Sequence, residues 1–339
     1  MKAAVYYRNS DVRIEERPRP EIGPGEILVR IRASGICGSD VMEWYRIKRA
    51  PLVLGHEIAG EVAEVGDGVT KYEVGDRVAV SHHVPCNSCR YCLDDQKTVC
   101  ETLHTTTFDP GGFCEFVRVP AINVDRGVYP LPDDVSFEEG SYVEPLACVR
   151  RGQRLAGVQP AKTVLVLGSG ISGVMHIALA HATGCANVLA TDINPWRVEK
   201  AREFGASASV DARVDVPAWV RENNGGRGAD IIFVCASATV AFEQALKSVD
   251  RGGTIVSFAP PAPGVDIAVP LNDFWRNGVT IMPSYANDGR DAVEAVDLIA
   301  SGVVPVAKMI THTLPLDQAQ EGFRLTAEAG ESLKVVLVP

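Results

Sequence analysis

Residues 163–173 read TVLVLGSGISG, five apolar-leaning residues followed by Gly168-Ser169-Gly170-Ile171-Ser172-Gly173. A short apolar run closed by a glycine-rich turn predicts a buried strand, and Ile171, Met175, Ala178 and Ala182 then share one face of a helix. Strand, turn and helix in that order form a dinucleotide fingerprint. Gly168 makes the tight turn, Gly170 admits the pyrophosphate, and Gly173 lets helix and strand pack closely. The helix start, with Ile171 and Ser172, turns its positive end to the phosphates. Asp192 ends the next apolar run, NVLATD. A carboxylate there accepts hydrogen bonds from the adenosine ribose and repels a 2′-phosphate, so NAD is expected over NADP. Arg197 keeps NADP open, because an arginine there either lies along the adenine or accepts a phosphate.

Further runs, DIIFV, GTIVSF and the weaker VTIMP, alternate with helical stretches. One such stretch, Trp196 to Phe204, stops at Gly205, which suits a helix C′ position. Near-continuous apolar strands separated by helices predict a doubly wound parallel sheet, an α/β architecture with both faces covered. The texture before residue 150 differs. Ile27 to Ile31, Ile58 to Val65 and Arg77 to Val80 are short strand-like runs bounded by Gly, Pro and Asp, which predict a compact β-rich domain. After Pro283 the alternation stops, leaving one expected helix (Ala292 to Ser301) and a last strand (Leu333 to Val338).

The 339 residues are enough for two domains, and Lys+Arg 33 against Asp+Glu 43 gives a formal charge of −10. That balance argues against a nucleic-acid binder, which needs a basic footprint, and against an anionic membrane surface. No apolar run is long enough to span a bilayer, and the stretch MKAAVYYRNSDVRIEERP lacks a signal-peptide core, so a cytoplasmic protein is expected. Nine cysteines are present. Four of them, Cys86, Cys89, Cys92 and Cys100, are spaced C-x2-C-x2-C-x7-C, crowding that favours metal binding over loop-closing disulfides. Four thiolates suit a closed, structural zinc site; an iron–sulfur cluster is the competing reading, without another redox signal beside it. A second set is scattered: Cys37 in GICGSD, His56 and Glu57 in LGHE, and Glu144 in VEPLAC. One thiol, one imidazole and one or two carboxylates make a ligand set for a catalytic zinc with an open position. Taken singly, a buried thiol, a core histidine and a helix-start carboxylate are the readier explanations.

The stretch Gly55-His56-Glu57-Ile58-Ala59-Gly60, followed by Gly66 and Val69, resembles the zinc alcohol dehydrogenase signature. GICGSD, the four-cysteine lobe, VEPLAC and GSGISG occur in that family's order. The resemblance covers nearly the whole chain and is to the medium-chain dehydrogenase/reductase superfamily. Ser39 and the EPLA segment are most similar to its sorbitol (polyol) and threonine dehydrogenase branch.

This resemblance implies a GroES-like catalytic domain from residues 1–147 and 286–339, with a structural-zinc lobe at about 84–102, and a Rossmann domain at 148–285. It implies two zinc ions per chain, one catalytic on Cys37, His56 and either Glu57 or Glu144, one structural on the four cysteines. Ser39 would pass the substrate proton on, Arg197 would lie at the adenosine end, and Cys148 near the nicotinamide. Ala236 to Ala238, Ala259 to Pro261 and Ser284 would line that pocket. The implied activity is reversible oxidation of a secondary alcohol, a polyol, cyclitol or related sugar alcohol, to its ketone with NAD. A homo-oligomer, tetramer or dimer, would suit the family. The chain departs from sorbitol-dehydrogenase-like members after Asp40, where Met42 and Glu43 replace the usual His and Tyr. The two rival expectations are a β-hydroxy amino acid dehydrogenase of the threonine type, with Glu43 near the amine, and a non-catalytic zinc-stabilised NAD-binding protein.

Overall fold

A computed structural model describes residues 1–339. Two compact units emerge, Met1–Ala147 with Ala286–Pro339, and Cys148–Tyr285. The first unit begins with β1 (Lys2–Arg8), β2 (Asp11–Glu16), β3 (Ile27–Gly35), β4 (Leu52–Val53), β5 (Glu57–Val65), β6 (Arg77–Val80), β7 (Phe116–Val119) and β8 (Val128–Pro130). The second holds β9 (Thr163–Leu167), β10 (Asn187–Asp192), β11 (Ala208–Asp211), β12 (Ala229–Val234), β13 (Val249–Ser257) and β14 (Thr280–Pro283). The chain then returns to the first unit with β15 (Ile310–Pro315) and β16 (Lys334–Val338).

In the first unit β15-β16-β3-β5-β6-β8 form one sheet, with β7 also paired to β3, while β2-β1-β4 form a smaller one. Strand β3 has neighbours along both edges and is buried along most of its length, which is why its sequence does not alternate cleanly. Its register fixes the chemistry that follows. Gly35 pairs with Glu57 in antiparallel β5, so the end of β3 and the start of β5 meet at one end of the sheet. Val336 of β16 also pairs with Gly35, which brings Lys334 to the same place. A core of Ile27, Val29, Ile58, Val62, Val78 and Val117 holds these strands together.

The second unit is a six-stranded, wholly parallel sheet in the order β11-β10-β9-β12-β13-β14. The order reverses at β9, and a ligand in such a sheet binds outside the carboxyl ends at that reversal. All five residues of β9 are buried, as both-face coverage requires. The helix Ile171–Ala182 is buried from Gly173 through Ala180. Ile171 and Ala182 lie outside that buried stretch, so the helix is enclosed at its centre rather than along the single stripe expected.

Among the elements that escape the sequence reading, three show why. Strand β11, ASVD, has Val210 as its sole large apolar residue and is set by pairing with β10. The tail holds more than one helix and one strand: β15 and a helix at Ala319–Glu328 are also present. That helix buries Ala319, Gly322 and Phe323, two of them too small to show as an apolar stripe.

Candidate functional site

Cys37 lies just past β3, and His56 and Glu57 stand at the entry to β5. The sheet register therefore joins residues that are far apart in sequence. The Cys37 sulfur, a His56 ring nitrogen and a Glu57 carboxylate oxygen all lie within 4.8 Å of one another. Glu144, near the start of the helix Val143–Ala156, is not of that group; its Oε1 accepts from Asn287 Nδ2 at 3.3 Å.

The surroundings orient each donor. Asp40 is fully buried, and its Oδ2 accepts from the Cys37 N–H at 3.1 Å. Its Oδ1 lies 3.5 Å from His56 Nδ1, so a carboxylate faces that ring nitrogen and leaves Nε2 as the ligating position. Burial pulls the His56 pKa down, but the Asp40 carboxylate and the Cys37 sulfur outweigh it and hold the imidazole well above its ordinary value. Burial likewise pushes Asp40 up, and His56 and Arg46 more than offset it, leaving the carboxyl below its usual range. The Ser39 N–H donates to Cys37 Sγ at 3.4 Å. Arg46 Nε donates to Ser39 O and Nη2 to Ser39 Oγ, both at 3.0 Å.

Glu57 is also ion-paired with Lys334, and the pair is almost wholly buried at 1% and 0% side-chain exposure. Lys334 sits over the Tyr142 ring at 5.5 Å from its centroid. The His82 ring lies 4.8 Å from His56 and 3.7 Å from His83, forming a wall of imidazoles. Glu43 turns elsewhere: its Oε2 accepts from the Asn9 N–H at 3.1 Å.

The second cluster is the four-cysteine lobe. The Cys89 and Cys92 sulfurs are 3.6 Å apart and those of Cys86 and Cys92 3.9 Å, with Cys100 in the same group. A zinc–sulfur tetrahedron with bonds of about 2.3 Å has edges of roughly 3.8 Å, so the four thiols fit that ion. The Ser88 N–H, the Ser88 hydroxyl and the Cys89 N–H all point at Cys86 Sγ and lower its pKa to about 5, favouring the thiolate. Arg126 Nη1 fastens the lobe by donating to Pro85 O at 3.0 Å and Cys86 O at 2.7 Å.

In the second unit Gly168 has φ +96°, and a Cβ on Gly173 would collide with Gly168 O. Beyond Gly170 a Cβ would meet only the Arg197 guanidinium, at 3.5 Å. That open cradle at the start of the helix Ile171–Ala182 fits a pyrophosphate. Asp192 Oδ2 accepts from the Ser169 N–H and Oδ1 from the Asn194 N–H, both at 2.8 Å. A carboxylate offers about four acceptor positions, so ribose hydroxyls still have room. Ala236 adjoins Gly168, and Ala259 N–H donates to Val234 O at 2.9 Å. Pro260 is exposed beside it. Ser284 donates its N–H to Ser257 O at 3.0 Å, while its buried Oγ has no partner. Ile171, Ser172 and Cys148 are half-buried.

Sequence reasoning missed Asp40, Arg46, His82 and Lys334. Asp40 stands inside the quoted GICGSD, and the His82-His83 pair directly precedes the cysteine lobe. Lys334 left one signal, a lysine in an otherwise apolar strand, KVVLV.

Residues 23–133 match the alcohol dehydrogenase GroES-like domain, and residues 172–301 match the zinc-binding dehydrogenase domain. The chain is 31% identical over 353 residues to a sorbitol dehydrogenase of Bacillus subtilis, covering 100% of this chain and 97% of that one. To a probable D-xylulose reductase A of Aspergillus clavatus it is 32% identical, covering 96% and 93%. Among solved structures, the alcohol dehydrogenase TADH from Thermus sp. ATN1 superposes with a TM-score of 0.89 at 29% identity, covering 100% and 99%. No helix is long and apolar enough to cross a membrane.

Proposed function

The chain belongs to the zinc-dependent medium-chain alcohol dehydrogenase superfamily, and from that premise we propose that it oxidises a secondary alcohol of the polyol class to its ketone, reversibly, with NAD. The observation that carries this reading is the convergence of Cys37, His56 and Glu57, with the Ser39 N–H donating to Cys37 Sγ. When bound, zinc supplies Lewis acidity toward a substrate oxygen, and NAD is the hydride acceptor. Cys37, His56 and a carboxylate would hold the metal, with Glu57 favoured over Glu144 by its place in the convergent group. The four lobe cysteines would hold a second, closed ion.

The balance is simple: a secondary alcohol and NAD⁺ give the ketone, NADH and a proton. Ser39 Oγ accepts the hydroxyl proton and releases its own. Arg46 cannot take that proton, because a guanidinium is only a donor, so it leaves Ser39 in another direction. Asp40 keeps the His56 ring turned. Gly168, Gly170 and Gly173 admit the pyrophosphate, and Asp192 selects NAD over NADP at the ribose. The orphaned Ser284 hydroxyl suits a carboxamide in the nicotinamide pocket. With Glu43 committed to Asn9, the amino-alcohol reading loses its anchor.

We further assign the protein to the cytoplasm, in keeping with nine free cysteines, and to a homo-oligomer. The oligomer reading rests on edge strand β14, near which Ile281, Leu271 and Trp275 are 45%, 74% and 82% exposed.

The test is elemental analysis together with NADH formation on sorbitol, xylitol and butanediols. Two zinc ions per chain and turnover abolished by Cys37→Ala or His56→Ala, with NAD binding nearly intact, are expected. Full activity in a metal-free Cys37→Ala protein would sink the scheme.

A further inference from the structure

Arg46 is the one cation in hydrogen-bond contact with the hydroxyl to which the proposed reaction hands its proton. Nε and Nη2 form one edge of the guanidinium and grip Ser39 through its carbonyl and its Oγ. Nη2 also approaches Asp40 Oδ1 at 3.4 Å. Asp40 is shared, since His56 and the Cys37 N–H draw on the same carboxylate. Nη1 makes no hydrogen bond within the chain, although the side chain is only 14% exposed. Both Nη atoms are bonded to one carbon, so the unused donors lie one guanidinium edge from Ser39 Oγ. The Tyr45 ring lies 4.7 Å from the guanidinium carbon and limits its swing.

The next residues extend the same sign. Lys48 and Arg49 are exposed and take part in no ion pair. Trp44, Tyr45 and Ile47 beside them are 42%, 41% and 42% exposed. A chain of net charge −10 thus carries three cations in the four residues 46–49, the first of them on its candidate catalytic hydroxyl. A preorganised guanidinium edge with free donors recognises planar or tetrahedral oxyanions far better than neutral hydroxyls. Local charge of one sign at a site raises the encounter rate of opposite charge.

We propose that Arg46 is a specificity-determining residue and that the substrate is an anionic polyol, carrying a carboxylate or phosphate one or two carbons from the carbinol that Ser39 receives. This rests on the dehydrogenase reading for the position of the carbinol. Arg46 holds the oxyanion through Nη1 while Nη2 keeps Ser39 in place, and Lys48 and Arg49 steer the anion inward. The anionic group is a spectator in the hydride step.

The experiment measures equilibrium binding by calorimetry to the zinc-loaded full chain. The probes are alditols of four to six carbons, their aldonates and their terminal phosphates, at 20 and 200 mM salt. At least one anionic probe is expected to bind tenfold or more tightly than its neutral parent, and to weaken with salt. Arg46→Gln removes that advantage and leaves the neutral probe within twofold. Arg46→Lys keeps the charge without the fork and retains part of the advantage. Aldonates alone binding tightly identifies a carboxylate, and phosphates alone a phosphate. Neutral alditols binding as well as every anion would overturn the proposal, as would Arg46→Gln weakening both classes equally, which is what a merely structural arginine does. Turnover on the same probes separates the two readings. Oxidation of neutral alditols without anion preference keeps the dehydrogenase and removes this proposal; tight anion binding lost in Arg46→Gln with no NADH formed keeps the anion site at Arg46 but overturns the dehydrogenase reading and, with it, the anion as substrate.

Discussion

Glu57 and Lys334 are 277 residues apart and form an ion pair from which water is excluded. Two buried charges tolerate each other only as a pair, and deleting one strands the other. Lys334→Met is therefore expected to destabilise the protein by about 3–5 kcal/mol, read from urea midpoints. The double variant Glu57→Gln/Lys334→Met should recover much of that loss; no recovery would show that the lysine acts through packing instead. His176 is a different buried titratable group. It stacks on Phe233 at 4.0 Å and meets Phe258 edge-on at 4.6 Å, and burial lowers its pKa to about 3. A histidine at about 6.5 when unfolded and about 3 when folded adds stability that is whole above pH 6.5 and drains away as pH falls toward 3. The difference between wild type and His176→Leu should therefore shrink by about 2 kcal/mol from pH 7 to pH 5. An unchanged difference would mean that the ring protonates in place. At this scale the sequence was partly legible. Cys37, His56 and Glu57 stand in short motifs whose residue types suggest metal binding, whereas Lys334 and Arg46 acquire meaning only from β16–β3 pairing and from the turn that carries Arg46 back over Ser39.

The four-cysteine lobe is an element with little regular structure of its own. Its helix Arg90–Leu93 has four residues, and its core is essentially Cys92, Cys100 and Leu103. So small a core would leave an ion bound by the four cysteines as the main tie, as in other small metal-held segments. Cys100→Ser is expected to lower zinc content by one ion per chain and to open residues 84–102 to limited proteolysis, with NAD affinity unchanged. Retention of both zinc ions and of resistance would contradict a structural site. The β9–turn–helix element makes the complementary case. Gly173→Val forces a side chain against Gly168 O, so NAD affinity should fall at least tenfold by fluorescence titration while the four-cysteine zinc is kept. Both elements were legible because their spacing reflects one local geometry. The helix Ala319–Glu328 was not, since its buried face is built from Ala319, Gly322 and Phe323 and leans on β16 and β2 for its partners.

For the molecule as a whole, the parallel sheet ends in β14, and the helix Leu271–Asn277 that precedes it in the chain carries the exposed Leu271 and Trp275. Exposed strand edges with apolar flanks invite pairing. Trp275→Glu is expected to shift the sedimentation coefficient to a smaller species without changing zinc content; an unshifted profile would place the contact elsewhere. The two-unit organisation also bears on time. The chain is made in one direction, and the Cys148–Tyr285 unit has all six of its strands once residue 283 has emerged. The first unit, begun earlier, must wait for β16 to enter between β15 and β3. Until then Cys37 and His56 stand beside a carboxylate that has no lysine, at the rim of an unfinished sheet. The order of emergence thus sets the order of completion: the Cys148–Tyr285 unit has its strands first, and the unit that carries Cys37, His56 and Glu57 has them last.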